Sequence, residues 1–231
     1  MLLMLTLAAV AGAQSQASRF VIERNDKTIV LEPYADNIVR ITLSTAKPNA
    51  LGAPGYGIVG TPSMTGWTQE RDPDGYDVFR SGRLIIRVAP ENLPPPHAFP
   101  LDALNQSLRD HYFGGGDNGN GPYNDIISVA TSSGKPLLKM WRWSMVPNPA
   151  GASPANAGDG GKEGPGYRVS ATFDSPQSEH YYGLGQQQQG FLDLRDHRIQ
   201  CWHDYGGIGG ENVCVPFMVS SRGYGLIWDN P

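Results

Sequence analysis

The chain has little charge and no basic face. Asp, Glu, Lys and Arg make up 17% of its 231 residues, and the 18 Lys and Arg are scattered among 22 acids, for a net charge of −4. A surface of this kind cannot hold a phosphate backbone, which excludes nucleic-acid binding. No P-loop lysine follows the glycine run at Gly114, and no Gly-x-Ser-x-Gly elbow occurs, so neither of these motifs points to phosphate-cradle or serine-hydrolase chemistry. The five histidines lack metal-ligand spacing and the two cysteines do not form a Cys-x-x-Cys pair. No metal and no other cofactor is expected. Asp72-Pro73-Asp74 and Asp117-Asn118 lack the spacing and terminal glutamate of a calcium loop and read as turns. No apolar run approaches the ~20 residues of a membrane-spanning helix. Long helices and fixed-period repeats are absent as well.

Glycine and proline are abundant, 29 and 19 residues, together more than a fifth of the chain. Such a composition favours short strands and many turns. Strand patterns occur at 19–23, 28–32, 37–43, 75–80, 83–88, 125–131, 137–143 and 168–173. Ser81-Gly82 reads as a two-residue hairpin turn and Asp72-Pro73-Asp74-Gly75 as a further turn. In the third pattern Val39, Ile41 and Leu43 alternate with Ile38, Arg40 and Thr42, which predicts a strand buried on one side and partly covered on the other. Leu101, Leu104 and Leu108 mark at most a short helix, and 114–121 a glycine-rich loop. Residues 147–166 have almost no large apolar side chain and are expected to form a flexible insertion. The fold class expected is all-β, an antiparallel β-sandwich with long Pro/Gly-rich insertions.

The first residues, MLLMLTLAAV, are apolar and lead to Ala11-Gly12-Ala13, an A-x-A cleavage site. Residues 1–13 read as a secretory signal peptide, the alternative being a buried strand or short helix. Export, to the periplasm or the extracellular space, is the expectation. Cys201 and Cys214 then sit where a disulfide is permitted, and such a bridge closes a loop worth roughly 3 kcal/mol in the chain-entropy model. Two buried thiols on neighbouring strands fit the same spacing.

From Phe173 to the end, a Tyr182-Gly183-Leu184-Gly185 turn, Gly190-Phe191, a glycine-rich loop and a PF-x-V-S-S-R-G-Y-G-L strand pair follow one another. This run resembles the last part of the N-terminal β-sandwich domain of glycoside hydrolase family 31, the α-glucosidase and α-xylosidase family. LEPYADNIVRITLS resembles that domain's opening strands, so the resemblance covers about 19–231. It implies the galactose-mutarotase-like supersandwich fold and a catalytic (β/α)8 barrel expected after residue 231. It further implies a retaining hydrolase of terminal α-glucosidic or α-xylosidic bonds, with α-linked oligosaccharides as substrate, which the signal-peptide reading makes an exported one. The two catalytic aspartates of such an enzyme belong to the barrel, so this chain holds no catalytic residue and is expected to be inactive alone.

By position, Asp204 resembles the family's loop aspartate that accepts hydrogen bonds from hydroxyls of the non-reducing-end sugar. A carboxylate can bind two vicinal hydroxyls with charge-assisted strength. Trp202, His203 and Tyr205 flank it, and aromatic rings stack on the apolar faces of pyranoses. Without the resemblance, Asp204 reads as a solvated turn aspartate and each aromatic as core. Trp67, Trp141, Trp143 and Trp228 are assigned to packing. Glu179, Asp193 and Asp196 offer a carboxylate pair, although acids so close in sequence are common. A free-standing carbohydrate-binding module is the alternative function, and a structural envelope sandwich a third.

Overall fold

The structure, a computed structural model, describes residues 18–24, 26–55, 57–91, 126–147, 167–186, 190–197, 199 and 213–229. The segments expected to form a signal peptide (1–13), a short helix (101–112), a glycine-rich loop (114–121) and, apart from Pro147, a flexible insertion (147–166) lie outside these residues. Twelve strands are described: β1 (Phe20–Glu23), β2 (Thr28–Ala35), β3 (Ile38–Ser44), β4 (Thr68–Arg71), β5 (Asp77–Arg80), β6 (Leu84–Val88), β7 (Ile127–Thr131), β8 (Pro136–Pro147), β9 (Tyr167–Phe173), β10 (Tyr181–Gln186), β11 (Val213–Ser220) and β12 (Tyr224–Ile227). One helical turn, α1 (Lys47–Ala50), carries Pro48 near its start, where a missing N–H costs nothing. Every pairing is antiparallel, in sheets ordered β1-β2-β3, β4-β5-β6-β7-β8-β9 and β10-β11-β12.

The first two sheets pack face to face. Phe20, Ile29 and Leu31 of the small sheet meet Phe79, Ile86, Val88, Ile127, Met140 and Trp143 of the large one in a single buried cluster. The rings of Phe20 and Phe79 stand 4.7 Å apart, tilted by 53°. Val39, Ile41 and Leu43 of β3 join this cluster from the predicted face. The outer edge, β4, is exposed throughout and polar in sequence, which discourages pairing with another chain. Trp67 and Trp143 are buried, Trp67 donating to the Ala35 carbonyl at 3.1 Å. The packing assignment fails for Trp228, which is exposed, and Trp141 is half-buried beneath Lys139.

Local turn chemistry explains several boundaries. Gly75 sits at φ +84°, its N–H donates to the Asp72 carbonyl, and the Asp72 carboxylate accepts from the Tyr76 N–H and from Arg87. Partial burial pushes Asp72 upward, but those hydrogen bonds outweigh it and hold the carboxyl below its usual value. The β5–β6 turn differs from expectation by one residue: Ser81 pairs with Leu84 and the turn is Gly82-Arg83. The Ser81 hydroxyl accepts from the N–H groups of Arg83 and Leu84, which sets that register. Likewise β8 continues to Pro147, beyond the expected Trp143, because β9 pairs with it as far as Tyr167.

Both faces of β2 are buried, unlike an ordinary sandwich strand. Beneath α1 and residues 51–55, Glu32 is 2% exposed and bonded by Arg40 at 2.7 Å, with Arg19 at 3.3 Å. Arg40 also reaches Asp229 at 3.6 Å, and the Asp229 carboxylate accepts from the Gly55 N–H at 3.0 Å. Three strands' worth of chain and the last described residue are thereby tied together.

Candidate functional site

The loop that holds Trp202, His203, Asp204 and Tyr205 rises from the β10–β11 hairpin. Gln186 pairs with Val213, so residues 187–212 connect two adjacent antiparallel strands. The four predicted sugar-contacting residues and Cys201 lie outside the described residues. What the structure does describe is the base on which they stand.

That base is a bulged ladder rather than the turn expected for Tyr182-Gly183-Leu184-Gly185. Register shifts between Gly183 and Gly185, opposite Cys214 and Met218. Three consecutive residues have positive φ: Gly183 at 104°, Leu184 at 57° and Gly185 at 94°. A Cβ at Gly183 would stand 2.7 Å from the Phe217 carbonyl oxygen, and one at Gly185 only 1.9 Å from that of Val213. Glycine is required at both points by close backbone approach. Pro216, which cannot donate a ladder bond, sits in the irregular part of β11. Cys214, the pairing partner of Gly185, is disulfide-bonded. The chain has one other cysteine, Cys201.

A second tie holds the ascending side of the loop. His180 Nδ1 and Asp193 Oδ2 are 2.5 Å apart, and the other Asp193 oxygen accepts from the N–H groups of Tyr181 and Arg195. The His180 hydrogen bond, helped by these backbone donors, holds the Asp193 carboxyl below its usual value. The Leu194 N–H donates to the Tyr181 carbonyl, and the Arg195 guanidinium donates to the carbonyls of Pro176 and Glu179. Phe191 stacks on His197 with centroids 3.6 Å apart.

Below these contacts Glu179 is buried, 1% exposed. It accepts hydrogen bonds from Ser220 and from the Tyr224 hydroxyl at 2.8 Å, with Arg222 3.6 Å away. Burial first, then the bond to Glu179, pushes the Tyr224 phenol well up from its usual value. Glu179 and Asp193 are therefore joined to protein partners, not to each other as a catalytic pair. Sequence reasoning missed this cluster, since Ser220, Arg222 and Tyr224 are more than 40 residues from Glu179 and only the fold assembles them. Among the described residues no cluster of His, Cys, Asp and Glu fits a metal, and no helix is long and apolar enough to cross a membrane. A recess between β1, β4 and β5 is lined by Glu23, Arg24, Arg71, Asp77 and Glu91, without an aromatic for sugar stacking.

Comparison with known proteins agrees with this architecture. Over 65 residues the chain is 39% identical to an uncharacterized family 31 glucosidase of Pseudescherichia vulneris, covering 28% of this chain and 11% of that protein. It is 33% identical over 72 residues to an α-xylosidase of Saccharolobus solfataricus, covering 28% of this chain and 9% of the other. The chain thus matches about a tenth of the length of these relatives. In three dimensions it resembles a family 31 α-xylosidase of Xanthomonas citri with a TM-score of 0.63 at 18% identity, over 93% of this chain and 19% of that one. A family 31 α-xylosidase from a soil metagenome, complexed with xylose, gives 0.53 at 16% identity, over 92% and 27%. These structural likenesses show the fold, a mutarotase-like β-sandwich. A family model described as the glycosyl hydrolase 31 N-terminal galactose mutarotase-like domain matches residues 11–231, and the chain belongs to that family.

Proposed function

We propose that this domain serves an exported, retaining α-glycoside hydrolase that cleaves terminal α-glucosidic or α-xylosidic bonds of oligosaccharides. Its part is to present loop 187–212 at the sugar site formed with a catalytic barrel. Asp204 accepts hydrogen bonds from vicinal hydroxyls of the non-reducing-end sugar, and Trp202, His203 and Tyr205 flank it. The role is orientation and specificity; the nucleophile and the acid/base belong to the barrel. The observation that carries this reading is the construction of the loop's base. Two obligatory glycines, a disulfide at Cys214 and the His180–Asp193 tie fix the described base from which the loop departs. A rigid base supports a specificity contact, since small misplacements are costly in rate. The disulfide also supports export, because such bonds persist in oxidising compartments.

The test is Asp204→Ala in the complete enzyme. Loss of hydrogen bonds to a charged group, about 1.5–3 kcal/mol, corresponds to a kcat/KM lower by roughly 10- to 100-fold, with an altered ratio of α-glucoside to α-xyloside turnover. Unchanged rate and preference overturn the assignment. The same purified enzyme, measured intact, is expected to begin at Gln14.

A further inference from the structure

Where β1 faces β4 and β5, the inward side of the sandwich changes from apolar to polar. Gln69 pairs with Phe79, a core residue, so Gln69 shares the inward face with Arg71 and Asp77, two residues away along β4 and β5. Inward positions of a sandwich are normally apolar. Here they line the recess between β1, β4 and β5, about 440 Å³ in volume and within the ~300–1,000 Å³ range of small-molecule sites. Arg24 and Glu91 line it as well. Arg24 is anchored through Nη2, which donates to the Ala89 carbonyl at 2.5 Å, and its Nε is buried without a hydrogen-bond partner. A buried donor left unpaired costs about 1–3 kcal/mol, which favours a ligand that supplies an acceptor. Gln69, Asp77 and Glu91 have no side-chain partner among the described residues.

The charges of this recess balance. Glu23 is taken by Lys47, which leaves Arg24 and Arg71 against Asp77 and Glu91. Opposite signs are also interleaved: Arg71 and Asp77 are directly opposed in the β4–β5 ladder, and uncharged Gln69 lies beside them. An anion or a cation would meet one wrong charge for each right one, and a zwitterion needs the two signs sorted to separate ends. A hydroxyl donates one hydrogen bond and accepts two, so a run of hydroxyls fits donors and acceptors set side by side. With no ring to stack on, such a ligand is held by charge-assisted hydrogen bonds, about twice as strong as neutral ones. Inward charge on the edge strand β4 also deters pairing with another chain. That accounts for Arg71, but not for the unpaired Nε of Arg24 or the unpaired carboxylates of Asp77 and Glu91. We infer that this recess is a saccharide-binding site in its own right. It holds hydroxyls of an α-linked oligosaccharide between Arg24 and Arg71 as donors and Asp77 and Glu91 as acceptors. The strands that build it, β1, β4 and β5, do not carry loop 187–212. The choice of an α-linked sugar rests on the family reading, whereas the preference for hydroxyls rests on the recess.

Carbodiimide labelling of carboxylates in the complete enzyme, read by mass spectrometry, tests it with thio-linked maltotriose, which a glycosidase does not cleave. Glu70 is the internal reference. It lies on β4 between Gln69 and Arg71 and so faces away from the recess, with its side chain 55% exposed. Labelling of Asp77 and Glu91 is expected to fall severalfold relative to Glu70 as the sugar saturates. Arg71→Leu, at an exposed edge position, is expected to raise the sugar concentration for half-protection roughly 10-fold through loss of a charged donor. Asp77 and Glu91 labelled equally with and without sugar overturn the inference, as does protection that Arg71→Leu leaves unchanged. Protection by glycylglycine but not by the sugar also overturns it and assigns the recess to a zwitterion. Asp204→Ala is expected to leave the protection intact, and protection lost with that substitution overturns the inference. Turnover unaffected by Asp204→Ala, with protection retained, rejects the sugar-contact loop and leaves the recess standing.

Discussion

Substitution of Gly185 by alanine would bring a Cβ to 1.9 Å from the Val213 carbonyl oxygen, in a backbone conformation at φ +94°. No side-chain rotation relieves that overlap, because both partners are main chain. Added to the strain of an L-residue at this φ, about 1–3 kcal/mol, the displacement should open the ladder at the Gly185–Cys214 pair. Gly185→Ala is expected to lower stability by at least ~2 kcal/mol in thermal unfolding. Gly190→Ala meets no neighbouring atom among the described residues and should cost chiefly its strain at φ +68°. Equal effects of the two variants would refute the argument from close approach. Leu184, at φ 57° between two glycines, is the strained residue that this geometry obliges the chain to keep.

At the scale of the element, the β10–β11 hairpin is braced by groups that titrate. Asp193 has its carboxyl held below the usual value, chiefly by the His180 hydrogen bond. A depressed folded value means the folded chain releases this proton more readily than the unfolded one. Its stabilising contribution is complete above the unfolded value of about 3.9 and is lost as pH falls through the lower folded value. The amide resonances of Tyr181 and Arg195, which donate to Asp193, are therefore expected to titrate with a midpoint below about pH 3.9. Asp193→Asn should abolish that titration and flatten the acid side of the stability curve. A midpoint at or above the ordinary carboxylate value would contradict the bracing role. Asp72, held down by Arg87 and the Tyr76 N–H, should add loss of stability in the same acidic range.

For the whole molecule, the Glu32–Arg40–Asp229 network joins the first sheet to the last described residue. Glu32 is nearly inaccessible and Arg40 is 11% exposed, so the pair is screened little by water. Removing one member of a buried pair strands the other charge at about 3–5 kcal/mol. Arg40→Met is expected to cost about 3 kcal/mol in urea unfolding, near the lower bound because Arg19 still faces Glu32. Glu32→Gln combined with Arg40→Met should recover much of that loss, since the most deeply buried charge is gone and Asp229, 22% exposed, keeps the Gly55 N–H. A double variant as unstable as the single one would show that packing, not charge, dominates.

Alternation of Val39, Ile41 and Leu43, the turn residues at Asp72–Gly75 and the motif run after Phe173 were legible by themselves, because each depends on neighbours a few residues away. They were enough for an antiparallel β class and for the family. They did not reveal which strands share a sheet, that β2 is buried on both faces, or that Glu179 meets Ser220 and Tyr224. Nor did they reveal the recess beside β4, whose Gln69 and Arg71 read in sequence like any polar edge. Those facts depend on groups far apart in sequence, such as Gly55 and Asp229 at a separation of 174 residues. Burial is a property of what the chain brings alongside a residue, and only the tertiary structure decides that.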